Sequence, residues 1–268
     1  MKFFIVFVFG AVIGSFLNVL IYRVPRGKSI VWPNSYCPHC KHSINLMDNV
    51  PLISFLLLKG RCRQCKQRIP LRYFIVELLT AMSGVILLFY FPDLARFFVY
   101  WLFTCILIVI ASIDIERQLV PHVFTLPGIL AGLLLSAFFL GDNARFSLSA
   151  LGNSFLGMLA GGVSIYLMGS IGEKLFREKA QKAGGAVGGG DITLMAMIGA
   201  FLGWKRVLLT FFIAPVLGSV VGLYVLFKKK QEIIPYAPFL SLSAFISLLY
   251  GNEIIRYLVS LIQESRGA

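Results

Sequence analysis

Eight long apolar segments constrain this chain more than any other feature of its sequence. A helix needs about 20 apolar residues to cross about 30 Å of hydrocarbon, and most of the segments approach that length. Only 14% of the residues are charged, against about 25% in average soluble domains. We therefore predict an all-α polytopic membrane protein with about eight transmembrane helices. The segments, of which the sixth is short, are Phe3–Tyr22, Tyr73–Phe91, Phe97–Ile113, Val123–Leu140, Leu148–Ile171, Ile192–Trp204, Val207–Phe227 and Ala237–Tyr250.

The basic residues are distributed unevenly between the loops, and this distribution predicts the topology. A formal net charge of +13 would favour nucleic-acid binding in a soluble protein. With the N-terminus outside, however, the inner loops hold 18 of the 25 Lys and Arg residues, the excess that cytoplasmic loops carry. We therefore expect a multi-pass protein that contacts membrane lipid and binds no nucleic acid. The inner loops are Arg23–Arg72, Asp114–Arg117, Gly172–Gly190 and Lys228–Lys230.

The polar region that follows the first segment divides the chain into three parts. Residues 1–22 are expected to form the first transmembrane helix. We interpret this helix as retained, because positive charges follow it and no small-residue cleavage site does. Residues 23–72 are expected to form a cytosolic region that resembles a zinc ribbon. Residues 73–268 are expected to form a helical membrane domain.

Two Cys-x-x-Cys pairs lie in the polar region, Cys37 with Cys40 and Cys62 with Cys65. Two such pairs at slightly more than the usual interval indicate a zinc site. Disulfides, reduced free thiols and redox chemistry are the alternatives, and the cytosolic location disfavours disulfides because cytosolic thiols stay reduced. We predict that the four thiolates bind zinc. Four sulfur ligands leave no open coordination position, so this zinc is expected to be structural.

Glu77 lies in the first turns of the second apolar segment, where an acidic side chain is costly unless it is paired or hydrated. Two interpretations stay open. Glu77 could pair with Arg72 or another basic residue of the polar region, or it could be a polar contact in a cofactor-binding pocket.

Two carboxylates mark the candidate catalytic site. Asp114 ends the third segment, and Asp191 follows a run of three glycines at the start of the sixth. Glycine lets the backbone turn tightly and leaves space for an approaching group, so Gly188 and Gly190 are expected to position Asp191. The predicted topology places both acids at the cytoplasmic face, where acidic residues near the membrane are rare and often functional.

Paired carboxylates suit aspartic proteolysis, in which an ionised carboxylate takes a proton from water while a protonated one polarises the scissile carbonyl. Two alternatives stay open. The two acids could form a proton relay in a transporter. The chain could be a non-catalytic membrane adaptor that presents a zinc ribbon.

The surroundings of Asp191 allow further interpretations that are compatible with catalysis. Asp191 could cap the helix that follows it. The glycine-rich loop 172–190 could gate the site or simply link two helices.

Glycine pairs at a spacing of four residues recur along the apolar segments. This spacing favours close packing of transmembrane helices. The pairs are Gly10/Gly14, Gly157/Gly161, Gly199/Gly203 and Gly218/Gly222.

Several stretches together resemble the type IV prepilin peptidase family. The resemblance extends from Gly14 to the segment Pro-Tyr-Ala-Pro-Phe at 235–239. The other stretches are Gly-Ser-Phe-Leu-Asn-Val at 14–19, the cysteine pair with Pro38, Asp-Asn-Val-Pro-Leu-Ile-Ser at 48–54, Gly-Arg-Cys-Arg-Gln-Cys at 60–65, Arg72-Tyr73 with Glu77, Ile113-Asp114, and the glycines that precede Asp191.

This resemblance implies a bifunctional enzyme of the bacterial inner membrane. Such an enzyme removes the basic leader of type IV prepilins, or of type II secretion pseudopilins, on the cytoplasmic side. It then methylates the new N-terminal residue with S-adenosylmethionine. The resemblance also implies that Asp114 and Asp191 are the catalytic pair, and that the four-cysteine region belongs to the half associated with methyl transfer.

Two residues near the acids depart from the pattern of many relatives. Thr193 stands where many have lysine, which leaves the electrostatic tuning of the second aspartate open. His122 stands where many have aspartate, which removes a competing acid near Asp114. For recognition of a basic leader the candidates are acids of the inner loops, such as Glu116, Glu173 and Glu178.

Overall fold

The computed structural model describes residues 1–32, 35–37, 39–140, 146–175, 188–227 and 235–267. Within these ranges the chain forms α-helices, two short 3₁₀ turns and two isolated pairs of bridged residues. The predicted all-α class is therefore confirmed. The helices are α1 (Lys2–Arg23), α2 (Ile53–Leu57), α3 (Arg72–Tyr90), α4 (Leu94–Arg117), α5 (His122–Phe139), α6 (Leu148–Leu175), α7 (Gly189–Leu202), α8 (Trp204–Phe227) and α9 (Ala237–Gly267).

Seven of these helices are long and apolar enough to cross a membrane, and α2 and α7 are not. Large apolar side chains on them, such as Phe4 and Phe212, stay more than two-thirds exposed. Lipid covers such side chains in a membrane, so the chain is a multi-pass membrane protein. Helix α7 has 14 residues, or about 21 Å at 1.5 Å per residue. The prediction of a short sixth segment is confirmed.

Three predicted features fall partly or wholly outside the described residues. They are the basic run Lys228–Lys230, residues 176–187 of the suggested gate loop, and Glu178.

The chain divides into two compact units, Met1–Ile113 and Asp114–Ala268, with the boundary inside α4. We call them the first and second units. The division into residues 1–22, 23–72 and 73–268 is functional and stays a prediction.

Helices α1 and α3 of the first unit pack with their backbones almost in contact. A Cβ atom on Gly10 would lie 2.7 Å from Cα of Ala81, and one on Gly14 would lie 2.6 Å from Cα of Glu77. Only glycine allows two helices to approach this closely. The packing predicted for this glycine pair is confirmed, and it sets the position of Glu77 beside α1.

The short helix α7 is the centre of the second unit. It packs against α5, α6, α8 and α9, and nearly all of its residues from Leu194 to Leu202 are buried. An apolar helix that is covered on all sides by protein does not need the length of a membrane span. Its burial therefore explains why this segment is short and uniformly apolar.

Helix α6 crosses α7 at glycines on both helices. A side chain on Gly157 or on Gly199 would overlap the backbone of the other helix, and a Cβ on Gly161 would also lie 3.0 Å from Val207. The close packing predicted for these glycines is confirmed. At Gly218 a Cβ would only make ordinary contact with Phe239, at 3.7 Å, so close helix packing is not required there.

We expect the change Gly199→Ala to lower the melting temperature of the purified protein by about 3 to 10 °C, because overpacking of a tight contact costs roughly 1–3 kcal/mol. Gly152→Ala on α6 is the matched control, since a Cβ there meets no atom within 4 Å. Equal melting temperatures for the two variants would contradict the tight crossing of α6 and α7.

Candidate active site

Asp114 lies in the last turns of α4 and is held by a backbone group. It is 5% exposed, and its Oδ2 atom accepts a hydrogen bond of 3.0 Å from the backbone N–H of Ala237, the first residue of α9. A buried carboxylate needs such partners, since its desolvation is costly. The helix continues past the predicted segment end, to Arg117, so Asp114 is part of the helix.

Asp191 lies in the first turn of α7 and not in the loop before it. The helix begins at Gly189, and Gly188 occupies the position that caps it. The alternative that Asp191 caps the helix is therefore wrong, and the predicted start at Ile192 is three residues late. A carboxylate in the first turn is favoured by the helix dipole.

The glycines before Asp191 act through close approach. Neither Gly188 nor Gly190 has a positive φ angle, so a left-handed turn is not what they supply. A Cβ on Gly190 would lie 2.7 Å from the Cβ of Val120. Val120 lies in the short connection that follows α4, the helix that carries Asp114. The missing side chain lets the start of α7 lie against the connection between α4 and α5.

The two carboxylates lie close enough to interact electrostatically. Asp191 belongs to α7, which is too short to be a candidate span. Burial and the negative charge of Asp114 both raise the pKa of Asp191. Two carboxylates that repel each other favour a state with one shared proton. The structure therefore brings the two predicted acids together in the second unit, and their catalytic role stays a prediction.

Thr193 and His122, the two departures from the family pattern, contact each other. Thr193 Oγ1 lies 3.3 Å from His122 Nδ1, donates to the carbonyl of Gly190 at 3.0 Å, and receives a hydrogen bond of 3.1 Å from Thr125 Oγ1. These hydrogen bonds tie the first turn of α7 to α5.

The two cysteine pairs of the first unit lie in turns of the same construction. In each turn the first cysteine donates its N–H to the carbonyl five residues later, and its own carbonyl accepts from the N–H four residues later. The residue four positions after each first cysteine, Lys41 or Lys66, has a φ angle near 60°. Bridged pairs flank both turns, Tyr36 with Ser43 and Arg61 with Arg68.

These two turns bring four sulfur atoms together. All four Sγ atoms lie within 4.8 Å of one another, and Cys37 Sγ is 3.8 Å from Cys65 Sγ. Tetrahedral ligands at a zinc–sulfur distance of about 2.3 Å lie about 3.8 Å apart. Cysteine binds metal as the thiolate, and the spacing of the four sulfur atoms matches the tetrahedral geometry of a zinc site. The donor set therefore fits a zinc ion.

Glu77 is a buried acid that lines a cavity in the first unit. It is 8% exposed, and its Oε2 atom accepts a hydrogen bond of 2.8 Å from the N–H of Leu52, a residue with a φ angle of 61°. The cavity has a volume of about 840 Å³ and is also lined by Ser15, Asn18 and Tyr22. Asn18 Oδ1 is buried with no hydrogen-bond partner among the described residues. The place of Glu77 in the cavity wall agrees with the interpretation that it contacts a cofactor. That interpretation stays a prediction.

Sequence reasoning missed Asn18 and Ala237 as parts of these sites. Asn18 is a polar residue inside an apolar segment, and this was the available signal. Ala237 acts through its backbone N–H, which no side-chain pattern reveals. The only signal in the sequence was its position between Pro235 and Pro238.

Comparison with known proteins assigns families to both units. Residues 8–91 match the family described as "Bacterial Peptidase A24 N-terminal domain". Residues 101–223 match the family described as "Type IV leader peptidase family". No solved structure matches the chain.

Relatives named prepilin leader peptidase/N-methyltransferase match most of this chain, and three of them serve as examples. That of Aeromonas salmonicida (strain A449) is 32% identical over 96% of this chain and 94% of its own length. That of Myxococcus xanthus (strain DK1622) is 40% identical over 82% of this chain and 62% of its own. That of Pseudomonas aeruginosa (strain PAO1) is 32% identical over 92% of this chain and 90% of its own.

Proposed function

This chain belongs to the type IV leader peptidase family and is an enzyme, and we propose that it removes the basic leader of type IV prepilins or type II secretion pseudopilins by an aspartic mechanism. We also propose that it methylates the new N-terminal residue with S-adenosylmethionine. The observation that carries the peptidase proposal is that Asp191, in the first turn of α7, lies close enough to Asp114, in the last turns of α4, for their charges to interact. The proposed location is the bacterial inner membrane, with both acids at its cytoplasmic face.

The proposed peptide cleavage uses the two carboxylates in different protonation states. The ionised carboxylate takes a proton from a water molecule, and the protonated one polarises the carbonyl of the scissile bond. Mutual repulsion of the two acids favours this unequal state. Burial of Asp114 and partial burial of Asp191 limit competition from bulk water.

The position of the acids suits a substrate with a basic leader and an apolar helix. The apolar helix of a prepilin can lie in the bilayer while its leader stays in the cytosol. Both acids lie at ends of apolar helices, where these two parts of the substrate meet. Exposed acids such as Glu116 and Glu173 could attract the leader.

The cavity of the first unit is the proposed binding site of the methyl donor. Its volume lies in the usual range for small-molecule pockets, about 300–1,000 Å³. Asn18 Oδ1 offers a buried acceptor without a protein partner among the described residues, and Glu77 offers a negative charge to a cationic ligand. S-adenosylmethionine supplies the methyl group in this proposal, and Glu77 and Asn18 bind and orient it.

The four cysteines are proposed to hold a structural zinc beside this cavity. Cys37 and Cys62 line it together with residues of both cysteine turns. Arg63 forms a bidentate ion pair with Asp48, at 2.7 to 3.0 Å, and so joins the second cysteine turn to the segment before α2. The proposed zinc would therefore fix the wall of the methyl-donor pocket.

The peptidase proposal is tested by incubating the detergent-purified protein with a purified type IV prepilin. We expect a shortened product whose N-terminus follows the basic leader. An unchanged prepilin, with correctly folded protein, would refute the proposed activity.

We expect Glu77→Gln to lower the methylation rate of a leader-free pilin peptide by at least about tenfold, because glutamine keeps an acceptor for Leu52 but loses the charge. Leader cleavage is expected to stay within about twofold of the wild-type rate, since both acids lie in the second unit. Transfer of a radioactive methyl group measures the effect. Glu253→Gln on α9 is the matched control, and equal methylation by both variants would remove Glu77 from the pocket.

A further inference from the structure

We infer that the segment Pro235–Ala237, which leads into α9, is a third part of the peptidase site. It positions Asp114 through the backbone N–H of Ala237 and lies beside Asp191 through Tyr236. This inference rests on the proposed peptidase function. In this arrangement the segment holds the Asp114 carboxylate in place.

The first observation is the hydrogen bond between Ala237 and Asp114. The first N–H groups of a helix have no partner inside the helix, and α9 begins at Ala237. The N–H of Ala237 is instead donated to Asp114 Oδ2, at 3.0 Å, across 123 positions of sequence. An N–H donor favours the ionised form of a carboxylate, which is the form that accepts a proton from water.

The second observation concerns Tyr236, the neighbouring residue. Its hydroxyl is buried and has no hydrogen-bond partner among the described residues. Burial and the negative charge of Asp191 raise the pKa of Tyr236 to about 12. Ala237 thus bonds to Asp114, and its neighbour Tyr236 is close enough to Asp191 for an electrostatic interaction.

The backbone around this segment is well defined by local hydrogen bonds. The carbonyl of Tyr236 accepts from the N–H groups of Phe239 and Leu240, at 3.0 and 3.2 Å. Tyr236 therefore occupies the position before the first helical residue, and Ala237 occupies the first. Proline is well tolerated at that first position because its missing N–H has no helical partner.

This geometry permits a variant that removes one hydrogen bond and keeps the helix. We expect Ala237→Pro to lower kcat for leader cleavage by about 10- to 100-fold and to change KM by less than about threefold. Ala237→Gly keeps the N–H and is expected to retain kcat within about threefold. Replacement of Ala237 by lactic acid, which exchanges the amide N–H for an ester oxygen without changing the side chain, is expected to match the proline variant.

The outcomes separate this inference from the proposed function. If the proline and ester variants keep the wild-type kcat while Asp114→Asn is inactive, the positioning role is wrong and the peptidase proposal stands. If Asp114→Asn itself cleaves normally, Asp114 is not catalytic and the inference falls with it. If the wild-type protein leaves the prepilin uncut, the peptidase proposal itself fails. If the proline variant does not fold, as judged by its melting temperature, the ester variant decides: a normal kcat overturns the inference and a reduced kcat supports it.

Discussion

Asp114→Asn and Asp191→Asn are each expected to reduce leader cleavage at least about 10³-fold, because residues that act as one catalytic unit are each indispensable. Asparagine has nearly the size of aspartate but can neither accept a proton nor share one. Both variants are expected to insert in the membrane and to elute normally in gel filtration. The rate is measured with purified protein and a prepilin substrate.

Asp93→Asn is a matched control for the two acid variants. Asp93 precedes α4, and its Oδ2 atom accepts from the N–H of Arg96 in an exposed position, so its loss is expected to leave cleavage unchanged. Normal processing by either Asp114→Asn or Asp191→Asn would remove that residue from the catalytic pair. Normal processing by both would refute the aspartic mechanism, whereas no processing by the wild-type protein would favour a proton relay or a non-catalytic adaptor.

The double change Cys62→Ser with Cys65→Ser is expected to abolish zinc binding and to unfold the region between α1 and α3. Metal analysis of the purified wild-type protein should give about one zinc per chain. The only helices in the described part of this region are two 3₁₀ turns and the five-residue helix α2, and structural zinc contributes about 10–16 kcal/mol in small zinc-binding peptides. Limited proteolysis should then cut the variant within residues 35–70 while the wild-type protein resists.

Cys105→Ala provides the control for the zinc prediction. Cys105 is buried in α4, apart from the four clustered sulfur atoms. This variant is expected to keep its zinc and its resistance to proteolysis. A stable wild-type protein that contains no metal would refute the zinc site.

Local patterns of the sequence were sufficient for the helices and for the cysteine cluster. The apolar segments identified all seven candidate spans and the short helix α7, because a membrane-spanning helix must be apolar along its whole length. The spacing of Gly10 and Gly14 predicted close helix packing, because two glycines four residues apart leave one side of a helix without side chains. Two Cys-x-x-Cys pairs predicted a four-sulfur cluster, since each pair can form its own tight turn.

The sequence was insufficient where distant residues meet through the backbone. No side-chain pattern connects Asp114 with the N–H of Ala237, and none connects Glu77 with the N–H of Leu52. The start of α7 was placed too late because glycine is a poor helix former, whereas packing against Val120 favours glycine at that point. Such contacts depend on the packed fold and not on local preference.

The most direct test of the central claim is the N-terminal mass of a type IV prepilin produced in bacteria together with this protein. We predict a pilin that lacks its basic leader and carries one added methyl group at its N-terminus, and a full-length, unmethylated prepilin when the partner is the Asp191→Asn variant. A full-length prepilin beside the wild-type protein, correctly inserted in the membrane, would contradict the account.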